Sequence, residues 1–162
     1  MTTDRPMPDL PLALWIALAG VFGLLFGSFL NVVILRVPAR MQAEWRKQAR
    51  EVLEIEAPEE PMPPGVVVEG SHCPHCKHPL AVRDNIPLFG WLMLRGRCRY
   101  CGERISIQYP LVELLAGLAS AAIVWRFGPT PGALAGLVLT YFLIALAGDA
   151  RVSVFAVELL QP

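Results

Sequence analysis

Three apolar runs and four cysteines in two close pairs predict a mainly α, integral membrane fold. It has about three transmembrane helices, with a cytoplasmic, zinc-ribbon-like four-cysteine domain between helices one and two. Composition agrees: 54% hydrophobic residues and a mean hydropathy of +0.47 exceed what a soluble domain carries. With 14 basic and 14 acidic residues the formal net charge is zero, so the total charge selects no partner. The distribution is more telling, because 11 of the 14 Lys and Arg lie between Arg36 and Arg104.

Residues 1–10, MTTDRPMPDL, form an N-terminal tail without the basic start of a signal peptide, so the run that follows is expected to be an uncleaved anchor. That run, residues 11–35, is 25 residues without a charge, and about 20 suffice to cross the hydrocarbon core as a helix. Residues 110–148 read as a transmembrane hairpin. PLVELLAGLASAAIVW is helix two, FGPTP the turn, and GALAGLVLTYFLIALAG helix three. Glu113, near the start of helix two, needs a partner or a watery neighbour. Gly23 with Gly27 and Gly132 with Gly136 are small residues one turn apart that permit close helix contact, and they carry no functional weight here. Residues 149–162 are a C-terminal tail whose VSVFAVELL is too short to span.

Arg36, Arg40, Arg46, Lys47 and Arg50 follow helix one, and Arg95, Arg97, Arg99 and Arg104 precede helix two, so the positive-inside rule places residues 36–109 in the cytoplasm. The N-terminus then lies outside. Within this loop, Met41, Trp45, Val52 and Ile55 fall at near-helical spacing in an amphipathic helix, and APEEPMPPG (57–65) is a proline-rich spacer.

Cys73-x2-Cys76 and Cys98-x2-Cys101, with 21 residues between the pairs, match a tetrahedral four-thiolate zinc site. Each C-x2-C turn presents two sulfurs to one ion, and two turns close its shell. A closed shell makes the metal structural, and it supplies folding free energy to a loop too small and too rich in proline to fold unaided. Disulfides and thiol redox chemistry are the competing readings, disfavoured on the reducing cytoplasmic side. His72, His75 and His78 crowd the first pair but are expected to stand outside the ligand set. Nucleic-acid binding is not expected, because nine acidic residues share the loop with the basic ones.

GSFLNVVILRVP (27–38), EWRKQARE, the paired C-x2-C motifs, NIPLFGWLMLRGRC (85–98) and ISIQYPLVELL (105–115), in this order, resemble the N-terminal region of the bacterial prepilin leader peptidase/N-methyltransferase family. The resemblance covers roughly residues 12–147. It implies several transmembrane helices in the bacterial inner membrane and a cytoplasmic zinc domain between the first two. It also implies aspartic endopeptidase cleavage of type IV prepilins or of type II secretion pseudopilins, and methylation of the new amino group from S-adenosylmethionine. Peptidase chemistry in the family uses two aspartates that activate a water. Asp149 occupies the neighbourhood of the first, with a plain interfacial carboxylate paired to Arg151 as the alternative. The second lies in a Gly-x-Gly-Asp motif, which these 162 residues do not contain.

The chain is therefore expected to be the N-terminal domain of a prepilin peptidase, incomplete for cleavage by itself and acting with a complementing catalytic half. The alternatives are a stand-alone methyltransferase or accessory domain, and a non-catalytic zinc-stabilised scaffold that binds pilin-like helices. The GSFLN and YPLVELL matches make Asn31, Arg36 and Glu113 candidates for a substrate or methyl-donor cavity, with mutual satisfaction at helix ends as the other reading. Gly96 is a weaker candidate whose ordinary role is a tight turn before the second cysteine pair.

Overall fold

The computed structural model describes residues 11–55, 58, 61–66, 70–73 and 75–159, the last ten of these by backbone alone. Among the described residues, four α-helices are built from the apolar runs: α1 (Leu12–Val52), α2 (Phe89–Met93), α3 (Gln108–Phe127) and α4 (Pro131–Leu159). α1, α3 and α4 are each long and apolar enough to cross a membrane. Gly128, at φ 65°, ends α3, and Thr130 Oγ1 accepts the Ala133 N–H at 3.2 Å to open α4.

Two boundaries differ from those expected. α1 does not stop near residue 35: it runs through Pro38 as one 41-residue helix, about 60 Å long. Proline removes a single ladder hydrogen bond, the one to the Ile34 carbonyl, and the helix continues on either side of it. The expected amphipathic helix is thus the straight continuation of α1, and its Trp45 and Val52 stay exposed. At the other end, α4 continues past Asp149 to Leu159, so the expected tail begins as helix.

The three spans meet through small residues. A Cβ added at Gly27 of α1 would lie 2.8 Å from Glu113 Cα and 2.9 Å from Ala116 Cβ of α3, and one at Gly23 would run into Ser120. The pair Gly23 and Gly27 therefore admits α3, while Gly132 meets only Thr130 Oγ1 at 3.7 Å. Below this contact Leu30, Ile34, Ala116, Tyr141 and Ile144 form the buried core. Tyr141 stacks on Phe26 with ring centroids 4.4 Å apart. Its hydroxyl lies 2.7 Å from Ser120 Oγ, which donates to the Ala116 carbonyl, so one buried polar chain links α3 and α4. The opposite faces, with Phe22, Leu118 and Phe142 among many, remain exposed as expected of side chains that meet lipid.

Candidate metal centre and adjoining cavity

The two cysteine turns have one backbone plan. In the first, Cys73 N–H donates to the His78 carbonyl and Lys77 N–H to the Cys73 carbonyl; in the second, Cys98 N–H donates to Glu103 and Gly102 N–H to Cys98. Each turn is closed by one isolated antiparallel bridge, His72 with Pro79 and Arg97 with Arg104. The residue after the second cysteine of each pair has positive φ, 58° at Lys77 and 71° at Gly102. Sequence spacing announced the pairs, but not that Lys77 must take the conformation glycine takes at 102.

The turns face each other so that all four sulfurs lie within 4.8 Å. Cys73 Sγ is 3.8 Å from Cys101 Sγ, and Cys76 Sγ is 4.0 Å from Cys98 Sγ. A disulfide needs about 2.05 Å. Tetrahedral thiolates at about 2.3 Å from one ion stand about 3.8 Å apart, so the cluster fits a metal. Backbone N–H groups of Cys101 and Tyr100 hold the Cys98 thiol down at about 7, which favours the thiolate a metal requires. The Glu103 N–H also pulls the Cys101 thiol down, but desolvation and the neighbouring sulfurs outweigh it and push that group up to about 12.

From within the second turn, Arg99 clasps Asp84 with Nη2 to Oδ1 at 2.5 Å and Nε to Oδ2 at 3.0 Å, tying that turn to the 3-10 turn Val82–Asn85. This bidentate contact holds the Asp84 carboxyl below its ordinary range.

Between the metal domain and the spans lies a cavity of about 690 Å³. Its walls come from α1 (residues 25–36), the first cysteine turn, the 84–87 segment and the start of α3. The structure brings three of the candidate residues, Asn31, Arg36 and Glu113, together on this wall. Asn31 is 2% exposed; its Nδ2 donates to the Tyr109 carbonyl at 3.0 Å, while its Oδ1 is buried with no hydrogen-bond partner among the described residues. Arg36 donates to the Gly65 carbonyl at 2.6 Å and the Gly70 carbonyl at 3.0 Å, and Arg40 reaches Pro63 at 3.3 Å. The basic residues after the span thus fasten the proline-rich spacer across the cavity.

Glu113 Oε2 accepts the Leu88 N–H at 2.7 Å. Leu88, at φ 59° and ψ −47°, is the centre of a strained γ-turn in which the Pro87 carbonyl accepts the Phe89 N–H at 2.6 Å. The carboxylate of a membrane helix therefore holds a strained turn of the metal domain, a link that hydropathy could not have revealed.

The other two candidates lie elsewhere. Gly96, at φ 66°, sits behind Trp91, whose ring a Cβ there would meet at 2.8 Å; the indole N–H donates to the Ile105 carbonyl at 3.2 Å. Its turn role is therefore plain, and it does not line the cavity. Asp149 is half-buried on α4 beside Gly148, where a Cβ would come within 2.5 Å of Ile34 Cδ1. It is not on the cavity wall, and the side chain of Arg151 falls outside the described residues.

Fold and site together define a helical domain with three helices apolar enough to cross a membrane, whose polar insert gathers four cysteines closely enough to hold a metal ion. Residues 21–127 match the family model described as the bacterial peptidase A24 N-terminal domain. A prepilin leader peptidase/N-methyltransferase from Xanthomonas campestris pv. campestris is 57% identical over 132 residues, which are 82% of this chain and 46% of that relative. Relatives of the same name from Stutzerimonas stutzeri (48% over 147 residues; 91% of this chain, 50% of the relative) and Neisseria gonorrhoeae (44% over 132 residues; 81% and 46%) agree. The chain belongs to the prepilin leader peptidase/N-methyltransferase family, as its N-terminal domain. It spans about half the length of the curated relatives it matches. No solved structure matches it.

Proposed function

We propose that this domain receives the N-terminal segment of a prepilin or pseudopilin in the cavity beneath the metal centre and presents it for cleavage and N-methylation. The single observation that carries this reading is the convergence of Asn31, Arg36 and Glu113 on one cavity at the membrane face, with the Asn31 Oδ1 acceptor unclaimed among the described residues. Buried polar atoms are normally paired, so an orphan on a cavity wall is an acceptor available to a ligand's N–H. The metal is structural zinc on Cys73, Cys76, Cys98 and Cys101, and its work is to hold the cavity's upper wall. The basic clusters that flank the insert support a reading in which this domain faces the cytoplasm at the bacterial inner membrane, where a prepilin leader awaits processing.

Asp149 is assigned as the first peptidase carboxylate, and the second aspartate is assigned to a catalytic half that works with this domain. S-adenosylmethionine, when bound, supplies the methyl group. Its amine and adenine N–H groups suit the Asn31 acceptor and its carboxylate suits the cationic wall at Arg36, while the chain's part is to bind and orient.

The test uses the full chain in nanodiscs with a synthetic prepilin leader peptide bearing a photoprobe. Labelling is expected on the cavity walls, and Asn31→Leu is expected to lower it about tenfold while metal content stays intact. Labelling that is undiminished, or that falls elsewhere, sinks the assignment. Cleavage is expected only after a catalytic half with the second aspartate is added.

A further inference from the structure

The metal domain carries an apolar face that neither the cysteines nor the cavity explains. In IPLFGWLM, Phe89, Leu92 and Met93 are 58%, 62% and 60% exposed. Contiguous exposed apolar surface of this kind marks an interaction site, and the nature of the partner is set by depth in the membrane.

Two helices measure that depth independently. α3 has 20 residues, about 30 Å, which is the thickness of a hydrocarbon core; Glu113, five residues from its start, therefore lies about 7.5 Å inside. α1 begins at Leu12, and about 20 residues carry it across to residue 32. Gly27, whose added Cβ would approach Glu113 Cα to 2.8 Å, is about 7.5 Å short of that point. The two rulers agree.

Helical side chains lean toward the helix N-terminus, so the Glu113 carboxylate leans back toward the boundary and holds the Leu88 N–H there. Trp91, hydrogen-bonded to the Ile105 carbonyl just before α3, marks the other limit. α2 thus lies between the level of Glu113 and that of Ile105, in the zone between acyl chains and headgroups where tryptophan is favoured. Its exposed side chains are continuous in depth with the exposed Leu111 and Leu115 of α3. Exposed Arg95 and Arg97 follow directly, suited to lipid phosphates.

We infer that α2 is an interfacial wedge: Phe89, Leu92 and Met93 insert into the acyl–headgroup boundary of the adjoining leaflet, with Arg95 and Arg97 on the headgroup phosphates. Lipid then orients the metal domain over the cavity, alongside the Glu113 contact. A second protein segment covering the same face is the competing occupant, and depth argues for lipid because the wedge sits level with side chains that already face it.

The full chain, metal-loaded in nanodiscs of phosphatidylethanolamine and phosphatidylglycerol, is prepared with p-benzoylphenylalanine at position 89, 92 or 93. The photoprobe at Leu118 is the lipid-facing reference, and at Tyr100, an exposed residue of the second cysteine turn, the aqueous one. At two or more of the three wedge positions, lipid adducts are expected within about twofold of Leu118 and about tenfold above Tyr100. Adduct yields at the Tyr100 level, or adducts on protein in place of lipid, overturn the inference. Reading three positions separately keeps the result decisive if one replacement disturbs the domain.

Discussion

Replacing Gly27 by alanine tests the packing that sets the position of Glu113, and with it the cavity wall and the turn at Leu88. The added Cβ would stand 2.8 Å from Glu113 Cα, 2.9 Å from Ala116 Cβ and 3.2 Å from the Val112 carbonyl oxygen. Carbon atoms pack at about 3.5–4.0 Å, so α1 and α3 must part locally by about 0.6–1.2 Å. A gap of about 0.5–1 Å forfeits a quarter to a half of the dispersion attraction along the contact. Overpacking of this kind costs about 1–3 kcal/mol, and two of the three contacts are to main-chain atoms that cannot rotate away. That corresponds to about 5–150-fold in the folding equilibrium, or a fall in Tm of about 2–4 °C per kcal/mol for a chain of this length.

The assay is thermal unfolding of the full chain in nanodiscs, followed by tryptophan emission and metal release together. Gly132→Ala is the matched control, since its nearest neighbour is Thr130 Oγ1 at 3.7 Å, and it is expected to change stability by less than about 0.5 kcal/mol. Adding Ala116→Gly to Gly27→Ala removes the 2.9 Å contact but not the 2.8 Å one, so rescue should be partial. Wild-type stability in Gly27→Ala, or full rescue by Ala116→Gly, would refute the close-approach argument.

Stripping the metal with a chelator should unfold the 70–106 region while the three spans stay helical, seen as lost protection from hydrogen exchange confined to that region; protection unchanged after metal loss would show a self-sufficient fold. Gly102→Ala should destabilise the second cysteine turn by about 1–2 kcal/mol through its left-handed φ, whereas Lys77→Gly should be neutral or stabilising, and competition with a metallochromic dye would rank the variants. The Asp84 carboxyl is held down by its bonds to Arg99, so its folded pKa is below the unfolded one. Its stabilising contribution is complete above the unfolded value of 3.8 and is lost as pH falls through the lower folded value. An acid titration of the isosteric Asp84→Asn variant should accordingly lack the part of the transition that wild type shows below about pH 4, and superimposable curves would remove the clasp from the account.

Sequence by itself determined the elements whose cause is local or compositional. Apolar length decides whether a helix can cross a bilayer, and C-x2-C spacing decides that two sulfurs can share one ion, so three spans and a four-cysteine insert were legible from the runs that begin at Pro11, Pro110 and Gly132 and from the cysteines. The order of motifs from Gly27 to Leu115 also carried the family. Tertiary structure alone decided what depends on the relative placement of distant segments. The uncharged run stops at residue 35, but the helix continues through Arg36 and Pro38, because charge ends a membrane span without ending a helix and the proline forfeits only one ladder hydrogen bond. Gly23–Gly27 and Gly132–Gly136 are identical as spacings, yet only the first pair admits α3 closely. Asn31, Arg36 and Glu113 share a wall, while Gly96 and Asp149 stand off it, because helix crossing and the fastened loop fix which side chains converge. The turn at Leu88 is the clearest case: its strained backbone is held by a carboxylate 25 residues away, and no local pattern encodes a hydrogen bond of that reach.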